Sequence, residues 1–214
     1  MEQRKNLVII CSVIKTVPNP LSYTNIRSIF NEEERFEQTL KTIESVKKHI
    51  PNTYIAHLEC SDLKQEYAEK IKKNVDEYIN YFDNERIKNI VTSPYKGWGE
   101  QSVILEYLLS TNLKYNSIFK ISGRYFIIDD FEYKNFDNNY NCFKLSGDTY
   151  STVLYKIVDF KEYISALKNC EEQLKKGEGI ETVMTQKFKT NTKILSELGV
   201  TGKIAVDGCD LKKY

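Results

Sequence analysis

Proline and glycine are scarce in this sequence, 4 and 9 of 214 residues, which excludes collagen-like chains and flexible low-complexity linkers. The five cysteines (Cys11, Cys60, Cys142, Cys170, Cys209) are odd in number, scattered and without a C-x-x-C pair. That pattern argues against a disulfide framework and for reduced thiols in a cytoplasmic setting. No N-x-[ST] glycosylation acceptor occurs, in agreement with that setting. There are only two histidines, His49 and His57, neither beside a cysteine or histidine partner, so zinc chemistry and a Ser-His-Asp triad are disfavoured. Charge of one sign is missing too. Lys+Arg 31 against Asp+Glu 30 leaves a net +1, which removes the electrostatic basis for a nucleic-acid or membrane-surface binder. No run approaches the ~20 apolar residues of a membrane span. Arg4 and Lys5 before the apolar stretch Leu7 to Ile14 imitate a signal peptide, but Lys15-Thr-Val-Pro18 follows instead of a small-residue cleavage site, so the stretch reads as a buried first strand.

What is present describes a folded chain: 41% hydrophobic and 29% charged residues, with 15 Tyr and 10 Phe, in a length that fits one domain spanning 1–214. After the first strand, Asn31 with Glu34 three residues on is a capping box, and Phe36, Leu40, Ile43 and Ile50 share one helical face. Tyr54 to Leu58 reads as a second strand, Tyr67 to Phe82 as a charged helix, Lys88 to Thr92 as a short third strand, Gly99 to Leu109 as a third helix and Ser117 to Ile121 as a fourth strand. Alternation of this kind implies β-α-β units and a mostly parallel sheet. Beyond residue 125 short aromatic strands crowd together (Tyr125 to Ile128, Cys142 to Leu145, Thr152 to Ile157), followed by helices over about 160–175 and 180–189 and a last strand near Lys203 to Val206. The fold class expected is therefore α/β, Rossmann-like, with a parallel central sheet and a mixed or antiparallel C-terminal edge.

Two glycine motifs fail on spacing. Gly97-Trp-Gly99 would need a third glycine where Ser102 stands, and Gly199-Val-Thr-Gly-Lys203 has the wrong interval and Ile204 in the magnesium position of a P-loop. More informative are the residues just past each expected strand, where open α/β sheets bind ligands: Ser12 and then Tyr23 to Arg27, Glu59 and Ser61, Tyr95 to Glu100, and Lys120 to Tyr125. The chain carries only five arginines, and Arg27, Arg35 and Arg124 lie in or near these segments. Guanidinium groups grip phosphate or carboxylate in a bidentate fork, so an anionic ligand is expected. Gly97 and Gly99 are read as opening a strand-to-helix turn to a ligand's approach.

These residues resemble the glycosyltransferase-like proteins of the GT-A type found in bacterial surface-polysaccharide clusters and in large DNA viruses. The resemblance rests on Arg35-Phe-Glu-Gln-Thr39 with Thr42-Ile-Glu-Ser45, on Glu59-Cys-Ser61, on Lys96-Gly-Trp-Gly-Glu100 and above all on Phe119-Lys-Ile-Ser-Gly-Arg-Tyr125; Ser151 to Tyr155, Gly179-Ile-Glu181 and Leu198-Gly-Val-Thr-Gly202 extend it. It implies a nucleotide-sugar-binding half over 1–125, an acceptor half over 126–214, and transfer of a sugar from a nucleotide diphosphate donor to a glycan or other hydroxyl acceptor. The donor contacts it implies are Ser12, Arg27, Arg35, Gln38, Glu59, Lys96, Gly97, Gly99, Glu100, Lys120, Ser122, Gly123, Arg124 and Tyr125.

The resemblance breaks at one place. GT-A enzymes usually carry an Asp-x-Asp metal motif after the fourth strand, where this chain has Ser122-Gly123-Arg124. Either Lys120 and Arg124 replace the metal as fixed cations at the leaving diphosphate, or Asp129 and Asp130 form a displaced site for magnesium or manganese. The first is preferred, because adjacent carboxylates on a strand point to opposite faces. For an inverting transfer the candidate base is Glu181, with Asp207 second; a retaining mechanism needs no such base. A module with this shape that binds a sugar or nucleotide without catalysis is the competing reading.

Overall fold

The computed structural model describes residues 6–112 and 115–211; Arg4 and Lys5 lie outside them. Strand β1 (Asn6–Ser12) is an interior strand of the main sheet. Its residues are buried on both sides, Leu7 and Ile9 toward one layer, Val8 and Ile10 toward the other, as expected of a strand covered on both faces. Helix α1 (Glu32–His49) starts at the capping box of Asn31 and Glu34, and β2 (Thr53–Glu59) pairs parallel with β1.

The chain then departs from expectation twice. Residues 67–82 are not one helix: α2 (Gln65–Lys72) stops early and β3 (Glu77–Asn80) adds a parallel edge strand to β2. The segment read as a third strand is a helix, α3 (Glu85–Thr92), in which Asn84 accepts from the Ile87 amide and Ile87, Ile90 and Val91 are buried at helical spacing. Helix α4 (Lys96–Ser110) follows and leads into β4 (Ser117–Ser122), which pairs parallel with β1 on the side away from β2.

After β4 the sheet becomes mixed, as expected. β5 (Tyr125–Ile127) leaves it, β6 (Asn141–Ser146), β7 (Thr149–Tyr150) and β8 (Leu154–Ile157) form an antiparallel edge, and helices α5 (Phe160–Asn169), α6 (Glu171–Lys175) and α7 (Ile180–Lys187) return over one face. A strand not foreseen, β9 (Thr192–Leu195), runs parallel to β6. The last strand, β10 (Val200–Gly202), lies just before the expected 203–206 and pairs with β5. Among the described residues the main sheet runs β3-β2-β1-β4-β8-β6-β7, with β9 beside β6. Helices α3, α4, α5 and α7 cover one face and α1 and α2 the other. No helix among the described residues is long and apolar enough to cross a membrane.

Helix α1 explains one of the sequence motifs. The Thr39 and Thr42 hydroxyls donate to the carbonyls of Gly123 (3.0 Å) and Tyr125 (2.7 Å), and Ser45 accepts from the Ile127 amide (3.0 Å). Three polar residues spaced three apart thus satisfy a buried backbone that has left the sheet. They hold the chain after β4 in place at the end of β1.

Candidate functional site

The strand order places β2 and β3 on one side of β1 and β4 on the other, so the carboxyl ends of β1 and β4 form the switch point where open α/β sheets bind ligands. Two hollows meet there. The larger, about 420 Å³, is walled by Ser22 and Tyr23, the start of α4, the turn after β4, the hydroxyls of Ser146, Thr149, Ser151 and Thr152, and the turn from Gly177 to Glu181. The smaller, about 100 Å³, is more apolar and is walled by Val13, Leu21, Val91, Val103 and Ala205, with Cys11, Ser12, Arg27 and Arg35. Burial pushes the Cys11 thiol well up, so it stays protonated. Lys96, Glu100, Ser122 and Arg124 line both hollows and therefore stand at their junction.

The charged groups at this junction divide into committed and uncommitted ones. Lys120 is fully buried; its ammonium lies 2.5 Å from Glu100 Oε1 and donates to Ser122 Oγ (3.0 Å) and the Thr152 carbonyl (2.9 Å). Burial alone would raise the Glu100 carboxyl, but Lys120 outweighs it and holds the group below its ordinary value. Thr152 in turn donates its hydroxyl to Glu181 Oε1 (2.9 Å). Arg27 donates to the carbonyls of Val91 (3.0 Å), Thr92 (3.2 Å) and Ser93 at the end of α3, where a cation suits the helix dipole. Arg35 donates from Nε to the Val13 carbonyl (2.8 Å); burial first, then Arg124, lowers it to about 10, which leaves it charged at neutral pH.

Lys96 and Arg124 differ from these. No carboxylate pairs with either among the ion pairs of the described residues. Arg124 makes one side-chain hydrogen bond, to Tyr125 Oη (3.3 Å), and its Nε is buried without a partner. Lys96 is the first residue of α4, whose N-cap Tyr95 makes no side-chain cap and whose first turn holds no acid. The neighbouring Arg124 charge, more than desolvation, pulls the Lys96 ammonium down toward about 7, an effect that solvent at this exposed side chain screens.

Below the smaller hollow, Ser12 donates to Glu59 Oε2 and lies 2.9 Å from His57 Nε2, while Ser61 and the Ile14 amide donate to Glu59 Oε1 (2.7 and 3.1 Å). The serine bridges the imidazole and the carboxylate, so this is not a catalytic triad, in which the histidine stands in the middle. Burial raises Glu59 against those hydrogen bonds and lowers His57 to about 3. The unfolded chain takes up the His57 proton below about pH 6.5 and the folded one not until about 3. The contribution of His57 to stability is therefore complete above 6.5 and falls by about 1.4 kcal/mol per pH unit below it. A proton NMR titration checks this directly: the His57 ring signal stays fixed down to about pH 4, whereas His49, lowered by partial burial and Lys48, shifts nearer its ordinary range. A His57 midpoint between about 5 and 7 would contradict the buried neutral imidazole.

Gly97 and Gly99 lie inside the first turn of α4, where each lines one of the hollows and is closely packed as well. A Cβ on Gly97 would stand 3.1 Å from Ile180 Cβ, and one on Gly99 3.1 Å from Val91 Cα. Gly123 packs in the same way against Ser12 and Thr39. Gln38 sits on α1 outside both hollows, its Oε1 buried without a partner. Asp207 is exposed and accepts from the Cys209 amide (2.9 Å), holding a turn away from the cleft walls. Asp129 pairs with Lys48 (2.6 Å) and His49 (3.4 Å) in the last turn of α1. Helix α1 starts near the cleft and ends beside the start of β1, at the amino ends of the strands, so this carboxylate lies away from the junction. Ser22, Ser146 and Thr149 were not singled out from the sequence; only their position in the fold brings them to the cleft.

A hard divalent cation needs several oxygen ligands. After β4 stand a serine that accepts from Lys120, a close-packed glycine and an arginine, and the nearest carboxylates are spent on Lys120 and Thr152. Among the described residues no three His, Cys, Asp or Glu side chains converge. These residues do not fit a metal at that place.

No protein-family profile and no curated protein matches the chain. Solved structures do. The glycosyltransferase GlyE of Streptococcus pneumoniae TIGR4 superposes with a TM-score of 0.50 at 13% identity over 90% of this chain and 45% of GlyE; its apo form gives 0.51 at 15% over the same shares. The galactosyltransferase LgtC, in complex with donor and acceptor sugar analogs, gives 0.50 at 10% identity over 88% of this chain and 72% of LgtC. The chain thus spans less than half the length of GlyE. A mostly parallel sheet with an antiparallel edge, in the arrangement these enzymes share, gives the chain the GT-A glycosyltransferase fold.

Proposed function

We propose that the cleft transfers a sugar from a nucleoside diphosphate donor to a hydroxyl of a glycan or other acceptor. The observation that carries this reading is the junction: two hollows of different chemistry share Lys96 and Arg124, two cations that no ion pair among the described residues joins to a carboxylate. A nucleotide sugar has the same layout, with a flat base and a polyhydroxyl ring on either side of a diphosphate. The apolar hollow suits the nucleoside and the hydroxyl-lined one suits the sugars. The fold shared with GlyE and LgtC supports the reading.

In an inverting transfer the acceptor oxygen bonds to the anomeric carbon as the bond from that carbon to the diphosphate oxygen breaks. The acceptor proton goes to the Glu181 carboxylate, and the charge released on the diphosphate meets Arg124. Thr152 orients Glu181 for this. The second reading, a module that binds donor without turning it over, is favoured by Ser122-Gly123-Arg124 standing where an Asp-x-Asp pair would be expected.

The test is release of nucleoside diphosphate from a panel of nucleotide sugars, with and without glycan acceptors. Wild type is expected to turn over one donor family, and Arg124→Met to lose about 10²- to 10³-fold in kcat/KM. Donor binding without release across the panel would establish the non-catalytic module.

A further inference from the structure

The expectation that Lys120 and Arg124 stand in for a metal is half displaced by the structure, since the Lys120 ammonium is enclosed by Glu100, Ser122 and Thr152 and lines neither hollow. Lys96 is at the junction in its place. The helices that begin here reinforce it. A Cβ on Gly97 would stand 3.3 Å from the Ile180 amide nitrogen, so the first turns of α4 and α7 touch at the cleft. Tyr95 and Gly179, the two N-caps, make no side-chain cap bond. Two helix N-termini and two unpaired cations therefore face one cavity.

We propose that Lys96, together with Arg124, takes the position that a divalent cation would hold on the donor's diphosphate, so that the site binds its donor without metal. The proposal deepens the nucleotide-sugar reading and rests on it. Physically, a diphosphate brought between the two cations relieves their mutual repulsion as well as bonding to each. Lys96 is faced by Arg124 from the turn after β4, Lys120 from β4, Glu100 from its own helix and Glu181 from α7. Of these, Arg124 dominates, so the empty cleft favours partial loss of the Lys96 proton and an arriving anion restores it. Binding is thus coupled to proton uptake, which a metal-bridged diphosphate would not require.

The test is titration calorimetry of uridine, guanosine, adenosine, cytidine and thymidine diphosphates at pH 8 in EDTA, repeated with manganese, in two buffers of different ionisation enthalpy. At that pH the free diphosphate is already deprotonated, so uptake reports on the protein. The expected result is binding of one nucleoside family in EDTA, with a fraction of a proton taken up. Lys96→Met is expected to abolish the uptake and to weaken binding about tenfold or more. Because Lys96 is exposed and carries no ion pair, the variant should keep the wild-type melting temperature without ligand. Binding in EDTA that Lys96→Met leaves unchanged would overturn the role of Lys96. Binding only with manganese would overturn the metal-free site while leaving the nucleotide reading intact. No binding of any nucleoside diphosphate under either condition would overturn the nucleotide reading itself, and this proposal with it.

Discussion

Glu181→Gln is expected to slow sugar transfer by about 10²- to 10⁴-fold while leaving donor affinity unchanged. Gln is isosteric and still accepts from the Thr152 hydroxyl, so α7 keeps its position at the cleft. What is lost is the group that receives the acceptor's proton. A second variant separates the two candidate bases. Asp207→Asn, at an exposed turn outside both hollows, should leave the rate unchanged. A loss of less than about tenfold in Glu181→Gln would remove Glu181 from the chemistry.

Lys120→Met is expected to destabilise the protein by about 3–5 kcal/mol, because it strands the Glu100 carboxylate in a buried site. Against a typical total of about 5–15 kcal/mol, that is enough to shift a urea midpoint markedly or to unfold the chain. Adding Glu100→Gln removes the stranded charge and should return part of the loss, a coupling that a double-mutant cycle measures. A second consequence follows from the chain of bonds from Lys120 to the Thr152 carbonyl and from the Thr152 hydroxyl to Glu181. Whatever fraction of Lys120→Met stays folded should transfer sugar more slowly, because Glu181 loses its orientation. Were Lys120 itself a donor contact, the variant would instead keep its stability and lose nucleotide binding alone.

The differences between expected and observed elements have local causes. Residues 88–92 carry Ile90, Val91 and Thr92, β-branched residues that favour a strand. Their burial with Ile87 against α4 and the cap from Asn84 make them helical, because packing outweighs propensity. In 67–82 no glycine or proline marks the break between α2 and β3, and β3 forms only because β2 offers it an edge. The second and fourth strands, read to Leu58 and Ile121, end one residue later at Glu59 and Ser122, and the first stops at Ser12, two residues before the expected Ile14; continuous apolar strands announce both their burial and roughly where it stops.

Within the site, chemistry by residue type was readable and partnership was not. Sparing use of arginine at the strand ends pointed to an anionic ligand, and Glu181 was singled out from its glycine turn. Which cation is spent and which is uncommitted depends on what stands opposite each one. Lys120 and Lys96 look equivalent along the chain, yet one is enclosed by a carboxylate, a hydroxyl and a carbonyl while the other lines an open cavity where Arg124 is the strongest charge acting on it. Composition, strand pattern and capping therefore establish the class of fold and the end of the sheet where the cleft opens, because burial and helix starts are local properties of the chain. The assignment of charges, the packing use of Gly97, Gly99 and Gly123, and the removal of Asp129 along α1 arise only in the folded molecule. Electrostatic partners are chosen by distance in space, and residues 20, 29 or 57 positions apart meet at this cleft only once the sheet has formed.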